Sequence, residues 1–106
     1  MNNLNSILIE GLVVDRDDKV NKGRFSFVIS SKRYNKVTAS VHEEASIKEV
    51  VTKIRSVTSG SLAESCAEYL LHGRVVRIVG HLEHAPAGEI IIIADHVEFK
   101  PIFDKK

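Results

Sequence analysis

Gly60-Ser-Leu-Ala-Glu-Ser-Cys-Ala-Glu-Tyr-Leu-Leu-His-Gly73 is the stretch on which the fold turns. Ser61 suits an N-cap, and Glu64 three residues later completes a capping box. Leu62, Cys66, Tyr69 and Leu70 fall along one apolar stripe. Gly73 stands in the usual position just past a helix end. The spacing predicts a helix over 61–72.

Working outward, the flanking segments alternate with a period of two, as half-buried strands do. Downstream, Arg74 to Leu82 sets Val76, Ile78 and Gly80 against Val75, Arg77 and Val79. Ala85-Pro-Ala-Gly88 predicts a turn. Ile90 to Phe99 predicts a last strand, and its run Ile90 to Ile93 is apolar on both faces. Such a run is buried on both sides or covered by another subunit. Upstream, Leu4 to Val14 predicts a strand, ended by the charged turn Asp15-Arg-Asp-Asp18. Arg24 to Tyr34 is the cleanest strand, with Phe25, Phe27 and Ile29 on one face and Ser26, Val28 and Ser30 on the other. Alternation at Val37, Ala39 and Val41 allows it to run further.

Residues 43–54 carry two patterns. Ile47, Val50, Val51 and Ile54 have helical spacing, and Glu49 and Lys53 form an i, i+4 pair. The same residues are β-branched and could equally form a strand, although the local sequence alone slightly favours helix. If the segment supplies a strand, the order is five strands with one helix between the third and fourth. That is the order of the OB-fold, an all-β Greek-key barrel.

The chain of 106 residues fits a single domain over 1–106. Its one cysteine, Cys66, excludes an internal disulfide and suits a reducing compartment. No apolar run is long enough to span a bilayer, and the N-terminus lacks the pattern of a signal peptide. A cytoplasmic protein is expected. Net charge is only +1, but it is unevenly spread. Lys22 to Arg55 holds eight Lys/Arg against three Glu, while the remainder holds seven Lys/Arg against eleven Asp/Glu. A basic segment on a near-neutral domain suits a phosphate-binding footprint, or simply a solvated face.

Four segments, in order, resemble the core of bacterial single-stranded DNA-binding proteins. Asn5-Ser-Ile-Leu-Ile-Glu-Gly11 is similar to their opening strand. Gly23 to Tyr34, with its terminal Arg33-Tyr34, is similar to their second strand. Gly60 to Gly73 followed by Val75 to Gly80 resembles their connecting helix and fourth strand. Ala94-Asp-His-Val-Glu-Phe-Lys-Pro101 resembles their closing strand. The resemblance implies an OB-fold with Glu49 to Ser59 extended as the third strand, after a long loop carrying a short helix. It also implies a dimer or tetramer, assembled partly through first strands, that coats single-stranded DNA non-specifically in replication, recombination or repair. In bacteria such a protein associates with the nucleoid, and replication or repair proteins are its further partners.

Binding single strands needs cations along the phosphates and aromatic rings on unpaired bases. The resemblance implies that Tyr34 stacks, with Arg24, Lys32, Arg33, Lys36, Lys53 and Arg55 holding phosphates. The sequence departs from the family elsewhere. Lys53 and Ser59 stand at its second and third stacking positions, and Ser61 and His72 at basic positions around its helix. The hairpin Glu83 to Gly88 is short and carries no aromatic residue. The family's flexible tail with an acidic tip has no counterpart before Lys106. These departures motivate a second reading, a divergent accessory or protein-interaction OB module with weak DNA binding.

Phe25, Phe27 and Phe99 alternate with polar neighbours, as core residues do, and Phe103 is expected either to pack on a partner subunit or to be mobile. Cys66 on the apolar stripe reads as core. His81, His84 and His96 lack a recognised metal spacing. No Ser-His-Asp order, phosphate loop or carboxylate pair is found. Neither catalysis, a metal nor a cofactor is expected.

Overall fold

The computed structural model describes residues 3–37 and 46–101, and the side chains of 36, 37, 46 and 47 are outside that description. Five strands and one helix follow in the order β1 (Ile7–Arg16), β2 (Arg24–Val37), β3 (Ser46–Ser59), α1 (Gly60–Tyr69), β4 (Val75–His84) and β5 (Ile90–Phe99). The strands close into a barrel in the order β1-β2-β3-β5-β4. All neighbours are antiparallel except β3 and β5, which pair in parallel at Ser56↔Ile92 and Val57↔Ile93 and complete the ring. This is the five-stranded OB-fold.

Residues 46–54 are strand, so β-branching prevails over helical spacing there. The reason is tertiary. Every residue from Ser46 to Ser59 has a partner on β2, from Val37↔Ser46 to Arg24↔Ser59, and an isolated helical turn offers no comparable pairing. The short helix expected in the preceding loop falls at 38–45, outside the described residues, as does Phe103.

The alternation along β2 separates core from surface. Phe25, Phe27 and Ile29 are fully buried and meet Val13, Val76, Ile78 and Ile92 inside the barrel. Phe99 is half-buried against the same cluster. On β5, Ile91 and Ile92 are both buried, so the apolar run is covered on both faces near its start, although Ile90 is exposed. A bulge opposite Val79 and Gly80 leaves Asp95 and His96 both exposed and turns Val97 back inward. Gly80 makes that close approach feasible: a Cβ there would overlap the Ile93 carbonyl oxygen.

Several expected bounds are corrected. β1 begins at Ile7, leaving Leu4 exposed, and it absorbs Asp15 and Arg16 from the expected charged turn. A bulge between Val13 and Asp15 lets the strand continue, and Arg16 then pairs Phe27. The reversal itself falls at Lys22 and Gly23, both at positive φ, where Asn21 and Arg24 exchange backbone hydrogen bonds. Two successive positive-φ residues match the twist of a tight hairpin. β4 starts one residue late and runs to His84.

The helix also differs from expectation. It starts at Gly60 after an extended Ser59, and no side chain caps it, so Ser61 and Glu64 lie within the helix and form no capping box. It ends at Tyr69, because Leu70 turns out of the helix and is fully buried. Ala63, Cys66 and Leu70 are the buried stripe, whereas Tyr69 is exposed. The last carbonyls find their partner on β1. Arg16 donates to the Ala67 oxygen at 2.9 Å and to the Leu70 oxygen at 2.5 Å. Its guanidinium also lies 4.9 Å from the Phe25 ring centroid. A cation at a helix C-terminus opposes the helix dipole, so Arg16 fastens the helix to the barrel end.

Gly80→Ala is expected to destabilise the barrel by about 2 kcal/mol or more, since the new methyl meets backbone and cannot be absorbed by a side-chain shift. Chemical denaturation of wild type and variant measures this, and an unchanged midpoint would contradict the close approach.

Candidate nucleic-acid interface

The β2–β3 ladder has two faces, and directly paired residues share a face. The inner one runs through Phe25, Phe27 and Ile29 with Thr58, Ser56 and Ile54. The outer one therefore runs through Arg24, Ser26, Val28, Ser30, Lys32 and Tyr34, opposite Ser59, Val57, Arg55, Lys53, Val51 and Glu49. Arg24, Lys32, Tyr34, Lys53 and Arg55 thus lie on a single surface. The distance from Arg24 to Tyr34 along the strand is about 33 Å.

Tyr34 is 64% exposed. No ion pair joins Arg24, Arg33 or Lys53 to a carboxylate among the described residues. Arg33 has the opposite parity and pairs Val50 on the other face. It is nonetheless exposed, because β2 and β3 run past the barrel there: β1 pairs β2 only as far as Ser30. Lys36 continues β2 opposite Ile47, with its side chain outside the description.

Two loops border the outer face. One is the β1–β2 connection, where Asp17 and Ser26 are joined by a backbone bond and by a bond from the Ser26 N–H to the Asp17 carboxylate. The other is the tight β4–β5 turn. A groove between it and β3 is lined by Arg24, Val57, Ser59, His84, Pro86 and Ile91. OB-folds take oligonucleotides on the strand 2–3 face between these two loops.

Sequence reasoning missed the carboxylates that face these cations. Lys32 Nζ lies 3.9 Å from Glu49, and Arg55 Nη2 lies 2.6 Å from Glu89. Both pairs link different strands or loops, so only the register and closure of the barrel bring them together. A linear charge count holds no trace of either.

Cys66 is buried, and burial pushes its thiol up to about 11, against a hydrogen bond with Thr58 that lowers it. It stays protonated near neutrality and is a poor nucleophile. His81 faces Glu83 at 2.5 Å through Nε2 and Asp95 at 3.7 Å through Nδ1. The two carboxylates approach opposite ring nitrogens and do not converge on one point. Among the described residues no group of three or more His, Cys, Asp or Glu side chains is arranged to hold a metal ion.

With this geometry in place, the chain can be compared with known proteins. No protein-family model matches the sequence, and no curated protein does. Solved structures do match. The SSB of Plasmodium falciparum, solved in complex with ssDNA, superposes with a TM-score of 0.75 at 20% identity, over 95% of this chain and 98% of that one. A small single-stranded DNA-binding protein from Streptomyces coelicolor gives 0.69 at 17% identity, over 94% and 95%. The protein priB from Ralstonia solanacearum gives 0.60 at 15% identity, over 92% and 100%. The fold is that of single-stranded DNA-binding proteins. The matched OB-fold extends over nearly the whole of each chain compared.

The contact of His81 with Glu83 makes stability depend on pH. The hydrogen bond to Glu83 chiefly, with added attraction from Glu83 and Asp95, holds the imidazole above its ordinary value of 6.5, against a smaller effect of desolvation. A group whose pKa is raised by folding stabilises the fold fully below its ordinary pKa and loses that contribution as pH rises through the raised value. Melting temperature should therefore fall as pH rises from about 6 to 8. His81→Gln should flatten that fall, and equal slopes for the two proteins would contradict it.

Proposed function

We propose that this protein is a non-enzymatic single-stranded DNA-binding protein, coating strands without sequence preference in replication, recombination or repair. One observation carries the reading: the exposed Tyr34 shares one outer face with Lys32, Lys53, Arg55 and Arg24, and the two loops that flank an OB-fold's oligonucleotide surface border the Arg24 end of that face. Tyr34 supplies the stacking platform. The cations on its face follow the phosphates, Lys36 extends the basic path along β2, and Arg33 takes phosphate from the far side of the projecting strands. The solved structures of the same fold, one of them with ssDNA bound, support this reading.

The reading includes a single domain over 1–106 in a cytoplasmic, nucleoid-associated protein. No helix among the described residues is long and apolar enough to cross a membrane. It also includes a dimer or tetramer formed through β1. The strand's first half, Ile7 to Gly11, pairs with β4 but not with β2, and Leu8, Leu12, Val75 and Val79 are exposed on the outer face of this β1–β4 pair. Light scattering is expected to give the mass of two or four chains. A monomer at micromolar concentration would remove this part of the reading.

A single Tyr or Phe ring on the described outer face of β2 and β3 is a small stacking platform, and both Lys32 and Arg55 face carboxylates. These features favour weak binding by each chain and keep open an accessory role in assembly with replication or repair proteins. The test is titration of fluorescent oligo-dT at low and high salt. Binding should appear at low salt and weaken steeply as salt rises. Tyr34→Ala should weaken it about 5- to 150-fold, matching about 1–3 kcal/mol per stacked base, with no change in melting temperature. No binding at low salt would overturn the reading.

A further inference from the structure

The two ion pairs on the outer face differ in kind. Lys32 and Glu49 are diagonal neighbours on adjacent strands at 3.9 Å, an ordinary surface arrangement. Arg55 and Glu89 lie 34 residues apart and join β3 to the turn before β5 at 2.6 Å, the length of a charge-assisted hydrogen bond.

The Glu89 carboxylate is presented by a braced turn. The Ala85 N–H donates to the Glu89 carbonyl oxygen at 2.8 Å, and the Gly88 N–H donates to the Ala85 oxygen at 2.8 Å. His84 Nδ1 lies 3.2 Å from the Gly88 oxygen. Arg55 is only partly engaged in return. Glu89 bonds to one terminal nitrogen, and the buried Nε has no hydrogen-bond partner. Asp15, Arg16 and Asp17 line the depression beside Arg55, together with Val28. The guanidinium is thus paired with a single carboxylate, Glu89, on the face assigned to phosphates.

We infer that Glu89 is a built-in competitor for phosphate at Arg55. This rests on the DNA-binding reading and deepens it. The carboxylate occupies the position on the guanidinium that a phosphate oxygen takes, and an incoming strand must displace it. A displaced Glu89 collects a cation from solution, which offsets a counterion released from the strand. Binding is accordingly weaker, and less salt-dependent, than the row of cations alone dictates. The β4–β5 turn thereby sets how readily the protein lets go of DNA.

Glu89→Gln keeps the shape and removes the charge. With labelled oligo-dT over a salt series, it is expected to bind about two- to five-fold tighter than wild type at low salt. The plot of log affinity against log salt should steepen by up to about 0.7, the value for one phosphate on a single strand. Glu89→Ala should agree, and melting curves check that both variants fold. In an Arg55→Met background, Glu89→Gln should change affinity by less than about 1.5-fold, since the competitor has lost its target. Affinity and slope unchanged from wild type would overturn the inference and leave the DNA-binding reading intact. Equal tightening with and without Arg55 would also overturn it, by revealing a general charge effect. No binding by wild type or by Glu89→Gln at low salt would overturn both.

Discussion

The register of β2 against β3 is the constraint from which the rest follows. Side chains alternate across a strand, so a slip of one residue exchanges its two faces. Phe25, Phe27 and Ile29 must be inside, because together they form the centre of the core. That requirement alone puts Lys32 and Tyr34 outside on β2, and pairing then puts Lys53 and Arg55 beside them on β3. The candidate interface is thus specified by the hydrophobic core beneath it. A binding surface made this way is held by two long paired strands and not by loops, which keeps its cations in a fixed order.

Closure depends on a few points where backbones come close or charges meet. The parallel contact of β3 with β5 is only two pairs long. It is supported by Gly80, where the bulged β5 backbone approaches β4, and by Gly11, where a Cβ would stand 2.9 Å from the Ser30 carbonyl oxygen. At one end Arg16 links β1, the Phe25 ring and the last carbonyls of α1. This arginine belongs to the barrel's support, although a charge count groups it with surface residues.

What was legible in the sequence divides along physical lines. Alternation at Phe25, Phe27, Ile29, Val76 and Ile78 reports burial directly, so the strands and their inner faces could be read. The third strand could not be read locally, since Ile47, Val50, Val51 and Ile54 fit a helix as well, and pairing with β2 decides between them. The helix was legible but its ends were not. Where it stops depends on Leu70 entering the core and on Arg16, 54 residues away, accepting the role of cap. Tyr34 and its neighbouring cations could be singled out because they are consecutive. The reversed face of Arg33 also follows from alternation, but its exposure depends on where β1 stops pairing. Glu49 and Glu89 were invisible, because each meets its cation only in three dimensions.

The central claim is that nucleic acid follows the outer face of β2 and β3. Mapping amide chemical-shift changes during titration with oligo-dT at low salt tests it most directly. The account predicts the largest changes at Ser30, Lys32, Tyr34, Lys53 and Arg55 and along the Ala85–Glu89 turn, with little change along α1. Changes concentrated on α1 or on the outer face of β1 and β4, with β2 and β3 undisturbed, would contradict it.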